Sequence, residues 1–214
     1  MEKSITKKQV RIYGAGGHSQ VIIEVLEANG FDIIETFDDK PKTAHYASKN
    51  VVIGARKDVK NFPHDGAPVI IAVGVNSERA EIAGFLKCNY EKAIHHSAII
   101  SDASSVGEGT VIFAGAIIQP NTTIGKHVII NTGASVDHDN KIGDFAHISP
   151  KVALCGHVEV GEGSHIGVGA VVIPKVKIGK WCIIGAGTIV LKDIPDYSVV
   201  VGNPGKIIKN IKPN

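Results

Sequence analysis

Leucine is nearly missing from this chain, with 4 in 214 residues, and aromatic residues make up only 5%. The aliphatic content lies instead in 31 Ile and 24 Val, whose β-branched side chains favour strands over helices, so most of the chain should be β. Cysteine is scarce as well. Cys88, Cys155 and Cys182 are an odd, widely spaced set without a CxxC pair, which excludes a disulfide framework and a zinc knuckle and points to a reducing, cytoplasmic setting. No apolar run approaches the roughly 18 residues of a membrane span, and Met1-Glu2-Lys3-Ser4 does not open a signal peptide. An excess of one charge is also lacking. The 23 basic and 21 acidic residues leave a net +2, too mild to make nucleic acid or an anionic membrane the partner.

What the chain has in abundance is a repeat. Stepping by six from Ile94 through Ile100, Val106, Ile112 and onward to Val190 meets only Ile, Val or Leu, 17 positions in all. A chance run of that kind is roughly a one in a billion event, so unrelated short strands are excluded. Nested in it, Gly107, Gly125, Gly143, Gly161 and Gly179 recur every 18 residues. Three hexapeptides therefore make one coil, and these glycines are expected at a corner whose backbone angles other residues avoid. The position four after each aliphatic is mostly small, as at Thr110, Thr122, Ala134, Ala146 and Ser164. Large residues pointing inward and small ones at the corners describe a three-sided prism of stacked parallel strands, each coil adding about 4.8 Å.

The first ninety residues read differently. A short apolar strand, Val10 to Tyr13, runs straight into Gly14-Ala15-Gly16-Gly17-His18-Ser19 and then a helical pattern ending near Asn29-Gly30. A second strand, Asp32 to Phe37, leads to Asp38-Asp39-Lys40-Pro41; a third spans Pro68 to Val75, followed by a helix from Asn76 to Lys87. This is a βαβαβ unit, Rossmann-like in its connections. A glycine turn between strand and helix can present backbone N–H groups to phosphate oxygens, and an acid about 20 residues on can take ribose or base. Ser19 replaces the third glycine of GxGxxG and only one mononucleotide-binding half is present, so a nucleotide-sugar diphosphate fits better than NAD. A turn that merely packs strand on helix is the plain alternative.

Together these segments resemble the hexapeptide-repeat sugar acyltransferases of the bacillosamine N-acetyltransferase and sialic acid O-acetyltransferase type. The resemblance implies an α/β nucleotide-sugar domain over residues 1–92 and a left-handed parallel β-helix over 93–214, closed by Val199 to Lys206. It also implies acetyl-CoA as cosubstrate, a homotrimer with donor sites between neighbouring prisms, and Gly14, Gly16, Gly17, Asp38, Asp39 and Lys40 as contacts of the nucleotide-sugar.

The coil register sorts the ten histidines. Residues 18 apart stack, so His138 lies beneath Gly156, a position with no side chain, which leaves room for a thioester beside the imidazole and a backbone N–H to meet its carbonyl. Asp137 and Asp139 flank it; a carboxylate on one ring nitrogen leaves the other to take a proton from an attacking amine. The resemblance agrees: it implies His138 as general base, Asp139 as its orienter, and His147, Gly156, Val168 and Ala186 as donor contacts. The register also places Asp139 one coil below His157, so a structural Asp139–His157 pair stays open. No two histidines stand five apart, as in the zinc site of the related carbonic anhydrase prism, and no metal cofactor is expected. Cys182 falls at an inward position; Cys155 adjoins Gly156 without an assigned base.

The expectation is an acetyl-CoA-dependent N-acetyltransferase acting on a nucleotide-linked 4-amino-4,6-dideoxy sugar by direct attack. O-acetylation of a sialic acid or related sugar is the alternative within enzymes, and a non-catalytic binding or assembly prism is the alternative of another class.

Overall fold

The computed structural model describes residues 8–39, 51–53 and 66–211. The chain divides into two compact units, Met1–His95 and His96–Asn214.

In the first unit, β1 (Lys8–Tyr13) is followed by α1 (Gly17–Ala28), β2 (Phe31–Asp38), β3 (Val51–Ile53), β4 (Val69–Ile71) and α2 (Asn76–Phe85). The four strands form a parallel sheet in the order β3-β2-β1-β4. Apolar residues on both faces of β1 and β4 suit a sheet covered by helices: Val10, Ile12, Val69 and Ile70 are fully buried, as are Ile22 and Leu26 of α1. The first helix ends where Gly30, at φ +80°, turns the chain left-handed and returns its N–H to Glu27 O at 3.0 Å.

Two differences from the sequence reading have local causes. The third strand stops at Ile71 instead of Val75, because the Val73 and Gly74 carbonyls are turned to the buried Arg79 guanidinium, which lies 2.9 Å from Val73 O. An additional strand, β3, pairs beside β2, in a stretch whose polar composition hid three strand residues.

The second unit is a parallel β-helix. Two-residue strands such as Ser135–Val136, Lys141–Ile142 and His147–Ile148 follow one another around three faces, each pairing in parallel with the strand 18 residues on. Val136, Ile142, Ile148, Leu154, Val160 and Ile166 are 0–3% exposed and stack as the core. Each such side chain contributes about 1.5–3 kcal/mol of burial, and the sum holds together a fold whose strands are only two residues long. The small polar corner residues are satisfied in ladders. Thr110 donates to Gly125 O at 2.8 Å and accepts from Val128 N at 3.1 Å; Ser164 does the same with Gly179 O and Cys182 N. Strand Ser198–Val201 stacks on Ile183–Ile184, and Lys206–Asn210 folds back antiparallel against it.

The recurring glycines need correction. Gly107, Gly125, Gly143, Gly161 and Gly179 do not have positive φ; a Cβ on Gly107 would fall 2.5 Å from Gly125 C, and one on Gly143 would fall 2.6 Å from Glu162 N. Close approach of successive coils, not backbone angle, requires glycine there. The left-handed conformation falls instead two residues later, at every sixth residue from Gly109 to Gly187, and is adopted by Asn121, Asp139, His157 and Lys175 as well as by glycine.

Candidate functional site

One edge of the prism, the corner between the Ser135–Val136 and Lys141–Ile142 strands, holds His138 and Asp139, the expected base and its orienter. Its scaffold is Asn140, fully buried. The Asn140 amide donates to Asp137 O at 2.6 Å and Cys155 O at 3.1 Å, and its oxygen accepts from Val158 N at 2.8 Å. Thr122 Oγ1 donates to the same Asp137 carbonyl at 2.8 Å. The two residues between Asp137 and Asn140 are thus presented from a fixed base. Sequence reasoning missed Asn140; its only signal was a polar amide at a corner position that is otherwise small or apolar.

On that base, His138 N bonds Asp137 Oδ1 at 2.8 Å, and His138 Nδ1 lies 2.7 Å from Asp139 Oδ2. The ring extends over Gly156 of the next coil, whose added Cβ would meet His138 Cε1 at 2.6 Å and Nε2 at 2.7 Å. The hydrogen bond to Asp139, helped by the charge of Asp137, raises the His138 pKa above the ordinary imidazole value against a smaller opposing effect of desolvation. Asp139 is lowered in turn, chiefly by His138 and also by a hydrogen bond from Asn121. The second reading of Asp139 also has a contact: His157 Nε2 lies 3.6 Å from the same Oδ2, with its ring edge-on to His138 at 5.3 Å and 89°. One carboxylate oxygen faces two imidazoles.

The other expected donor contacts are elsewhere in the same chain. Val168, half exposed, stacks beneath Ala186 at a different edge, with Gly187 N bonding Val168 O at 2.9 Å. That edge is nearly bare: its left-handed positions are Gly115, Gly133, Lys151, Gly169 and Gly187, and a Cβ on Gly169 or Gly187 would meet nothing within 4 Å. His147 lies on the intervening face, its ring stacked on His165 at 4.7 Å and 6°, with Nε2 3.2 Å from the Asn131 amide. Within one chain, then, His138, Asp139 and Gly156 meet, and His147, Val168 and Ala186 do not join them. Cys182 is buried as expected; burial raises its thiol pKa, and its Sγ lies 3.1 Å from Pro195 O.

In the first unit, Gly14 sits at φ +114° against β4, where a Cβ would fall 2.7 Å from Ala72 O. Gly16 precedes α1 and gives the helix no side-chain cap; the Ser19 N–H returns to Gly16 O at 3.1 Å. Asp38 is buried and accepts the Ala15 N–H at 2.7 Å, which ties the turn to the end of β2. Asp39, more accessible, takes the Tyr13 hydroxyl at 2.6 Å. Lys40 lies outside the described residues. His18, given no role from sequence, has its pKa lowered to about 4 by burial first and the Arg79 charge second, so its imidazole is neutral at physiological pH.

Two family models match: the PglD N-terminal domain over residues 9–86 and the bacterial transferase hexapeptide (six repeats) over residues 157–192. PerB of Caulobacter crescentus, solved in complex with CoA and GDP-perosamine, is 38% identical, with 94% of this chain and 97% of that one covered at a TM-score of 0.85. The chain belongs to the hexapeptide-repeat sugar N-acetyltransferases. The acetyltransferase domain of PglB from Neisseria gonorrhoeae, solved with acetyl coenzyme A, is 32% identical over 94% of this chain and 100% of that one, at a TM-score of 0.83. UDP-N-acetylbacillosamine N-acetyltransferase of Bacillus subtilis is 45% identical over 113 residues, which span 50% of this chain and 52% of that relative. No helix among the described residues is long and apolar enough to cross a membrane.

Proposed function

We propose that the protein transfers the acetyl group of acetyl-CoA to the amino group of a nucleotide-linked 4-amino-4,6-dideoxy sugar, with His138 as general base. The observation that carries this reading is the 2.7 Å bond between His138 Nδ1 and Asp139 in a ring laid over Gly156. With its Nδ1 proton held by the carboxylate, the imidazole keeps a lone pair on Nε2. The sugar amine attacks the thioester carbonyl as Nε2 removes its proton, and the carbonyl becomes an oxyanion near the Gly156 N–H. Collapse of this tetrahedral species expels CoA as its thiolate, which takes the proton from the imidazolium; the products are the N-acetylated sugar and free CoA.

In this reading the N-terminus of α1 and the Gly14–Gly17 turn seat the phosphates and Asp39 binds the nucleoside, with Lys40, outside the described residues, kept as an expected contact. Asp38 shapes the turn through Ala15. The relatives bound to GDP-perosamine and named for UDP-linked bacillosamine support an amine acceptor over a sugar hydroxyl. The separation of His138 from Val168 and Ala186 onto different edges of one prism supports a homotrimer, in which a neighbouring chain completes the donor site.

Thermal-shift titrations with acetyl-CoA and with UDP-, dTDP- and GDP-linked 4-amino sugars test the substrates, and His138→Ala tests the base. The variant should keep its fold and both affinities while kcat falls by about 10²–10⁴. Near-normal turnover of His138→Ala on its acceptor would remove His138 as base.

A further inference from the structure

The corner that holds the base has a second chemical capacity. His138, Asp139 and His157 each offer one ligand atom, and these three atoms all lie within 4.8 Å of one another. Asp139 Oδ2 is 2.7 Å from His138 Nδ1 and 3.6 Å from His157 Nε2. In a tetrahedral zinc site, nitrogen and oxygen ligands at about 2.0–2.2 Å from the metal stand roughly 3.3 Å from one another, so the existing separations need only small rotamer adjustments. All three side chains are at least a third exposed, which leaves an approach for the ion and a fourth position for water. Two imidazoles and a carboxylate are ligands for zinc, cobalt or nickel, not for magnesium or calcium. Asp137, whose charge already acts on His138, adds to the attraction.

The other histidine pair lacks these features. His147 and His165 are stacked nearly parallel, their Nε2 atoms facing Asn131 and Ser149, and among the described residues they join no group of three metal-binding side chains. The spacing rule that argued against zinc looked for histidines five apart along the chain. Here the ligands converge through the 18-residue coil, as neighbours 138 and 139 and residue 157 one coil on.

We propose that His138, Asp139 and His157 form a binding site for a divalent transition-metal ion, with zinc as its reference occupant, and that occupancy arrests acetyl transfer. The ion takes the place of the proton between His138 Nδ1 and Asp139. That proton moves to Nε2, the nitrogen that otherwise accepts the proton of the sugar amine, and the base is blocked. The ion is an inhibitor of the reaction and not a cofactor of it.

Calorimetric titration of the intact protein with zinc chloride, and the visible absorption of added cobalt(II), test the site without any substrate. One ion per chain is expected at micromolar concentration, with a four-coordinate cobalt spectrum. His157→Ala and, as a milder change, His157→Asn should weaken binding about tenfold or more. Failure of zinc to saturate a site, or binding that survives both His157 variants unchanged, overturns the proposal. The binding measurements are independent of the acetyltransferase reading; the inhibition assay, in which zinc lowers turnover and EDTA restores it, rests on that reading. Zinc binding at His157 without inhibition would keep the site and refute the arrest.

Discussion

The His138 ring lies across Gly156 of the next coil, so close that a single methyl on Gly156 would sit 2.6 Å from the ring. Gly156 does not need glycine for its backbone, since its φ is not positive. Gly156→Ala is therefore expected to fold and to displace the imidazole from Asp139 and from the path of the thioester. Steady-state kinetics should show kcat falling by about 10-fold or more, approaching the loss expected for removing the base itself. A methyl group that leaves kcat unchanged would mean that the ring's position over Gly156 is immaterial.

The pH profile follows from the Asp139 contact. In the proposed mechanism the His138 imidazole acts in its neutral form, and its pKa is raised by Asp139 first and by Asp137 second. The kcat/KM should therefore rise with pH through an ionisation above the ordinary 6.5. Asp139→Asn removes a charge and the hydrogen-bonding carboxylate, so the rising limb should move to lower pH. The plateau should fall by less than the roughly 10²–10⁴ that loss of His138 costs. Ionisation of the acceptor amine would not move with this substitution, and a limb that stays in place identifies the amine as its source.

How far the sequence carries can be judged from these same residues. The prism was legible because an aliphatic recurs at every sixth position from Ile94 to Val190, and from Ile112 onward each of these side chains is buried in the core. His138 was legible through the 18-residue register that stacks it under Gly156. The role of Gly107 and its repeats was misread because close approach and left-handed backbone select the same residue, and only coordinates separate them. Asp139 was read as having one partner or the other; a carboxylate oxygen that faces both imidazoles cannot be anticipated from spacing, since side-chain rotamers decide it. Strand β3 was not legible because three residues are too few to show alternation.

Asn140 ties stability to the proposed catalytic corner. Replacing it by Ala deletes the donors to Asp137 O and Cys155 O and strips Val158 N of its acceptor, all in the buried corner behind His138. Leaving such groups unanswered costs about 1–3 kcal/mol each where water cannot reach them. Asn140→Ala should lower the unfolding midpoint in denaturant and also reduce kcat, since the Asp137 carbonyl just before His138 loses its anchor. Asn140→Asp, which keeps the acceptor for Val158 N but puts a charge beside two carbonyls, should be at least as damaging. Equal kcat in the wild type and a folded Asn140→Ala protein would show that the corner holds its shape without the amide.

The last prediction concerns acid stability of the first unit. His18 opens α1 with its Nε2 buried and Arg79 nearby, and its pKa is lowered from 6.5 to about 4, by burial first and by the Arg79 charge second. Above pH 6.5 the imidazole is neutral in both the folded and unfolded chain and pH has no effect through it. Below that, the unfolded chain binds a proton that the folded chain refuses, so stability is lost progressively as pH falls from 6.5 toward 4. Arg79 cannot relieve this, because its own pKa, though lowered to about 9 by burial, leaves it charged throughout the window. His18→Asn removes the titration while keeping a polar side chain at the start of the helix. Amide exchange of α1, followed across this window, should show protection falling more steeply with acid in the wild type than in the variant. The carboxylates titrate equally in both proteins, so the difference in slope isolates His18. Parallel slopes would mean that the imidazole protonates in place, with room for the charge at the mouth of the glycine turn.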